Sequence, residues 1–193
     1  MVTISIDGIR LLTSSSQAVL NANVKPGDHV VVIGAAGGLG HFAVQYAAAH
    51  SAHVIAIDTG ASKRDFLASI GCKTYIDIST MSPADVVTKV HDLTRDHNLS
   101  NDKSKATSGA HAVIVTAGNG KAYETAAELL RTGGSMSCVG IPPPGKMSEF
   151  PVAKIVIKGL RIYGNLVGNM KETLEAVDFV RRGVVKPYVV VRP

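Results

Sequence analysis

Residues 29–40 read HVVVIGAAGGLG. Five residues rich in Val and Ile, from His29 to Ile33, end on a glycine-rich turn, and a helical pattern follows from Leu39 to Ala49. A strand that is apolar on every residue is covered on both faces, as in a parallel sheet flanked by helices. An anionic diphosphate approaches a backbone closely only where side chains are absent, and Gly37 and Gly38 supply that approach. Gly40 lets the helix pack against the strand, and the free N–H groups at the helix start face the anion. The run departs from strict G-x-G-x-x-G because Ala35 stands in the first glycine place, where the adjacent Gly34 takes over the turn. Glycine turns serve many purposes, so the strand before and the helix after carry the reading.

The same alternation continues outward. Further strands are expected at His53–Ile57, Thr74–Ile78, Ala110–Thr116, Ser135–Val139 and Leu160–Tyr163. Helices are expected near Ser62–Ile70, Pro83–Asp96, Lys121–Arg131, Val152–Ile157 and Met170–Arg182, the last stopped by Gly183. Val184–Arg192 is strand-like, and the polar stretch Thr94–Ser108 reads as a loop. Strands alternating with helices give an α/β fold, a doubly wound parallel six-stranded sheet of the Rossmann type.

Asp58 ends the second strand, close to the spacing of about 20 residues at which an acid meets the adenosine ribose. A carboxylate there accepts hydrogen bonds from ribose hydroxyls and repels a 2′-phosphate, which points to NAD; a turn aspartate capping the next helix is the alternative. Lys63 is five residues on, within reach of the same ribose or simply solvated. Thr116 and the turn at Val139 and Ile141 follow later strands, on the side where ligands of this fold lie. Ordinary strand-ending turns would look the same.

Composition bounds the rest. The 193 residues are 46% hydrophobic and 18% charged, with a net charge of +5 from scattered Lys and Arg, so neither a nucleic-acid arm nor a membrane span of about 20 apolar residues is expected. Two distant cysteines, Cys72 and Cys138, suit a reducing cytoplasm and offer no cysteine-rich metal site. Seven histidines lack HExxH spacing and read as structural. Met1–Gln17 has no basic start followed by an apolar core; Arg10 with Ser14–Ser16 faintly suggests a transit peptide, against which Asp7 argues.

Residues 25–47, KPGDHVVVIGAAGGLGHFAVQYA, followed by 54–60, VIAIDTG, closely resemble the zinc-dependent medium-chain alcohol dehydrogenases, in particular their fungal, yeast-type branch. Residues 139–143 (VGIPP), 163–169 (YGNLVGN) and 178–183 (DFVRRG) agree with it. The resemblance implies that Gly37, Gly38, Leu39 and Gly40 meet the pyrophosphate and nicotinamide. Asp58 and Lys63 would hold the adenosine ribose, while Val139, Ile141, Asn165 and Val167 line the nicotinamide pocket. It implies a zinc-bearing catalytic domain whose last zinc cysteine precedes the first strand, where this chain reads DGIRLLTSSSQ. Residues 1–24 would then be a remnant of the connection to that domain, 25–183 the NAD-binding domain and 184–193 the start of the return. No zinc is expected on this chain, no residue is singled out as catalytic, and an alcohol or aldehyde substrate would need the catalytic domain. A homodimer through the sixth strand is also expected. A stand-alone NAD-binding module, and a zinc-free quinone or enoyl reductase, remain the alternatives.

Overall fold

The computed structural model describes residues 6–95, 108–146, 148–150 and 152–188. Six strands, β1 (His29–Ile33), β2 (His53–Asp58), β3 (Thr74–Asp77), β4 (Ala110–Val115), β5 (Leu130–Cys138) and β6 (Arg161–Gly164), form one sheet in the order β3-β2-β1-β4-β5-β6. Every pairing is parallel. The helices are α1 (Ile6–Asn21), α2 (Gly40–Ala49), α3 (Lys63–Ser69), α4 (Pro83–Leu93), α5 (Gly120–Leu129), α6 (Val152–Lys158) and α7 (Met170–Arg181). None of them is long and apolar enough to cross a membrane.

Alternation along each strand divides the core in two. Val30, Val32, Ala56 and Ile114 pack with α1, α2, α3 and α7 on one face. Val31, Ile33, Ile57 and Val115 pack with α4 and α5, and with Ile155 of α6, on the other. The chain runs outward from β1 to β3, then crosses to β4 on the far side of β1, so the direction of winding reverses between β1 and β4. Register aligns Ile33 with Ile57 and Val115, Val115 with Cys138, and Cys138 with Gly164. The carboxyl ends of five strands are therefore level, and their loops share one edge.

Apart from the strand expected over Val184–Arg192, the expected strands and helices after residue 28 are present, with shifted ends. The helix expected over Pro83–Asp96 stops at Leu93, and the one expected over Lys121–Arg131 gives way at Leu130 to β5. β5 starts earlier than Ser135 because its first residues pair with β4 before a bulge, where Gly133 takes φ +73°. β4 ends at Val115, one residue short of the expectation. Residues 184–188 form no strand, and the remainder of the strand expected over Val184–Arg192 lies outside the described residues. Most of the Thr94–Ser108 loop does too.

The main addition is α1, 16 residues long, in a segment where the sequence reading placed no element. Leu12, Ala18, Val19 and Ala22 are buried in the same core as β1 and α2, and so is Val185 at the other end. Ser137 on β5 donates to the Ala18 carbonyl at 2.7 Å and fixes the helix to the sheet.

The amino-terminal edge of the sheet carries the histidines. The His29 ring lies 5.3 Å from His53 and 6.0 Å from His111. The His29 backbone N–H donates to His111 Nδ1 (3.0 Å), while His111 Nε2 lies 3.4 Å from Asp28 and against the Arg131 guanidinium. Burial holds His29 below the ordinary imidazole value, helped by His53 and opposed by Asp28. Burial also lowers His111, helped by the Arg131 guanidinium and His29 and opposed by Asp28. A group that must stay neutral in the fold adds stability above its unfolded value, near 6.5, and loses it as pH falls toward the lower folded value. We expect the melting temperature to fall between pH 7.5 and 5.5. The double variant His29→Gln, His111→Gln should show a shallower fall in thermal melts across that range; an unchanged slope would remove these rings as the cause.

Candidate functional site

The turn after β1 is closed first by backbone hydrogen bonds. Gly34 (φ +80°) and Ala35 both donate N–H to the Ile57 carbonyl, at 2.9 and 3.2 Å, and Gly37 donates to Gly34 O at 3.1 Å. A Cβ on Gly40 would lie 2.1 Å from Gly34 O and 2.7 Å from the Ala35 backbone. Only glycine lets α2 begin against the strand it follows. Gly37 and Gly38 are exposed, and α2 starts with Leu39 as an N-cap that makes no side-chain bond. The N–H groups of Gly38 and Leu39 make no hydrogen bond among the described residues. Unpaired donors and the positive end of the helix dipole thus meet on an open surface, the arrangement that takes a phosphate. His41 supports the turn from beneath. Its Nδ1 donates to Gly37 O (3.0 Å), and burial pushes its value down, so the ring is neutral there.

Asp58 is tied into the same turn. Oδ2 accepts the Ala36 N–H at 2.8 Å, while Oδ1 accepts the Thr59 N–H at 2.7 Å and Lys63 Nζ at 2.6 Å. A carboxylate has about four acceptor sites, so the side chain is held by three donors and retains room for another. Beside it lies a cavity of about 360 Å³, walled by Ile33, Ile57, Ile78 and Met81 and flanked by Asn119 and Lys121. The apolar walls suit a flat ring.

The other half of the edge is built from the ends of β4, β5 and β6. The Thr116 hydroxyl donates to Ile33 O (2.8 Å) or Gly34 O (3.1 Å), so it locks β4 to the glycine turn rather than facing outward free. A Cβ on Gly140 would lie 2.4 Å from Ala117 O, which interlocks the turns after β4 and β5. Tyr123 donates to Gly140 O, and burial pushes its phenol up to about 12. Val139 is 7% exposed and packs in the core, which leaves only its backbone for the cleft. Ile141 is 75% exposed and Val167 50%. Asn165 is half-buried, its N–H donating to Cys138 O at 2.9 Å. A cavity of about 560 Å³ opens among Cys138, Val139, Ile141, Asn165 and Leu166.

The structure therefore brings Gly34, Gly37, Gly38, Leu39, Gly40, Asp58 and Lys63 into one cluster, joined through Thr116 to a second at Val139, Ile141 and Asn165, while Val167 follows Leu166 and lines neither cavity. The sequence reading did not single out Ala36, Thr59, Asn119, Lys121 and Leu166. Ala36, Thr59, Asn119 and Leu166 stand just past a strand's carboxyl end and Lys121 in the first turn of the helix that follows one, the signal that could have found them. Among the described residues no group of three or more His, Cys, Asp or Glu is placed to hold a metal ion. Burial pushes the Cys72 and Cys138 thiols up, away from the thiolate a metal needs.

A family model described as zinc-binding dehydrogenase matches residues 38–182. An alcohol dehydrogenase of Schizosaccharomyces pombe is 36% identical over 177 residues, which are 92% of this chain and 46% of that protein. Alcohol dehydrogenase 1 of Emericella nidulans is 38% identical over 165 residues, 86% of this chain and 43% of that one. The crystal structure of an alcohol dehydrogenase from Aeropyrum pernix superposes with a TM-score of 0.73 at 26% identity, over 92% of this chain and 46% of that chain. The chain spans about half the length of the curated relatives it matches.

Two glycines of the turn should respond differently to one methyl group. Gly40→Ala drives a Cβ into backbone and should cost about 3 kcal/mol, the upper range for overpacking. Gly38→Ala meets only the Leu11 Cδ1, at 3.3 Å, which can move, so the variant should fold with near-parental stability. Urea denaturation of both variants checks this; equal destabilisation would contradict it.

Proposed function

Because the chain belongs to the zinc-binding dehydrogenase family, we propose that it is the NAD-binding part of an alcohol dehydrogenase. The observation that carries the reading is the pair of free N–H groups at Gly38 and Leu39 beside a carboxylate, Asp58, already fixed by three donors. On this reading Gly34, Gly37, Gly38, Leu39 and Gly40 form the pyrophosphate cradle. Asp58 and Lys63 hold the adenosine ribose, and the apolar cavity beside Ile78 and Met81 takes the adenine. Backbone at Thr116 and Val139, with Ile141, Asn165 and Val167, encloses the nicotinamide, and the exposed Ile141 and Val167 keep water from it. When bound, the nicotinamide would give or accept a hydride. We assign no catalytic residue and no zinc to this chain, so an alcohol or aldehyde would react only where further residues bind and activate it. Both cysteines are free, in keeping with a cytoplasmic protein.

We infer NAD over NADP because an ionised carboxylate is an acceptor only. It rewards a ribose hydroxyl and opposes a 2′-phosphate, which brings more acceptors and like charge. Hydrogen bonds to charged groups contribute about 1.5–3 kcal/mol, or roughly ten-fold or more in affinity. Calorimetry should give tighter NADH than NADPH binding, and Asp58→Ala should narrow the difference. Tighter NADPH binding would overturn the choice. Stoichiometric zinc together with ethanol oxidation by this chain and NAD would overturn the assignment of no catalytic site.

The homodimer is a second proposal, supported by the sheet edge. All four residues of β6 are exposed, with Ile162 at 38%, and an unpaired edge invites a strand from a second copy. α6 divides its apolar residues: Ile155 packs inward with Phe150, while Val152, Val156 and Ile157 are at least 69% exposed. Light scattering at tens of micromolar should give a dimer mass that Ile162→Glu reduces to monomer; a monomer from the unsubstituted chain would refute the pairing.

A further inference from the structure

The run of three serines at Ser14–Ser16 is unexplained by the cofactor reading. It occupies the middle of α1, where serine is a poorer helix former than alanine, and all three residues are buried. A buried hydroxyl is tolerated when it is hydrogen-bonded. Thr13 satisfies itself within the helix, on Ile9 O (3.0 Å) and Arg10 O (3.1 Å). Ser14 does not: it donates to the carbonyl of Leu166, 152 residues away. Ser15 sits 2.8 Å from both Leu11 O and Leu39 O and can donate to either.

Leu39 and Leu166 belong to opposite walls of the cleft. One stands at the start of α2 beside β1, the other at the exit of β6, and β4 and β5 separate those strands. α1 reaches both. Asn21 adds a bond from Nδ2 to Asn165 Oδ1 at 2.5 Å, and Leu11 lies against Gly38. Gln17 is beside Gly168, its Cγ 3.4 Å from the place a Cβ would take there. Its Nε2 is the one buried side-chain polar atom without a partner among the described residues. Polar pairing is thus incomplete under the segment that Ser14 holds.

We propose that α1 is a brace that sets the nicotinamide end of the cleft, with Ser14 as the positioning residue that fixes the 165–167 backbone and Ser15 holding the opposite wall at Leu39. This rests on the dinucleotide reading above. Ser14 acts by holding the carbonyl of Leu166, so that the neighbouring backbone of Val167 keeps one position relative to the glycine turn. The adenine end, fixed through Asp58 and Ala36, is independent of it.

NADH and ADP-ribose separate the two ends, because ADP-ribose carries the adenosine and diphosphate but no nicotinamide. Ser14→Ala should weaken NADH roughly 3- to 10-fold, the loss of one hydrogen bond, and reduce the emission change of bound NADH. ADP-ribose affinity should stay unchanged, and Ser14→Thr should restore NADH binding. Ser14→Cys keeps the size and weakens the donor, and serves the same comparison if Ser14→Ala does not fold. Equal weakening of both ligands, or unchanged NADH binding by a folded variant, would overturn the brace alone. An unsubstituted chain that binds neither ligand would overturn the dinucleotide reading and the brace with it.

Discussion

The contact between Gly40 and the Gly34 carbonyl is the constraint on which the site depends. With a missing side chain the α2 axis starts against the end of β1, at a distance that any Cβ would forbid. That approach leaves Gly38 and Leu39 with free donors on an exposed turn. It also places Ala36 where its N–H meets Asp58 at 2.8 Å. A looser start to α2 would let the turn satisfy its own donors, and the carboxylate would lose its tie to the first strand. The bonds from Thr116 to Ile33 and Gly34 carry the same geometry across the reversal between β1 and β4.

Level strand ends turn that local contact into a cleft. Because register aligns Ile33, Ile57, Val115, Cys138 and Gly164, the five loops that follow start at one height. Glycines then interlock two of the loops: Gly118 packs on the Ile141 carbonyl and Gly140 on that of Ala117. The opposite edge carries His29, His53 and His111 in one group, two of them held neutral by burial.

Much of this was legible in the sequence, and what was not has physical reasons. The strands are unbroken runs of Val and Ile, and strands buried on both faces have to look like that. The glycine turn and Asp58 were readable because spacing along the chain fixes them. α1 was hidden because its core face carries hydroxyls. Serines at 14–16 interrupt the apolar stripe of Leu11, Leu12, Ala18, Val19 and Ala22, and Ser14 and Ser15 reach carbonyls far along the chain, at Leu166 and Leu39. The early start of β5 was hidden because pairing at Leu130 comes before a bulge, and glycines at 133 and 134 weaken any strand signal. Val139 was legible as a position but not as a direction. Its side chain faces the core, since strand alternation continues one residue past the last pair.

The two halves of the cleft differ in how complete they are. At the end proposed for the adenosine the carboxylate, the lysine and the turn are already bonded to one another, so little ordering would remain when a ligand arrives. Affinity gained there is lost to few competing costs. At the end proposed for the nicotinamide Ile141, Leu166 and Val167 are at least half exposed, and the Gln17 amide nitrogen has no partner among the described residues. Exposed apolar side chains around a cavity are favourable only when something covers them. A ligand bound across both ends would be anchored at the first and would order the second. On the proposed reading, discrimination between dinucleotides belongs to Asp58 and its neighbours, where the groups are fixed beforehand. The position of the ring would then depend on backbone that α1 holds from behind.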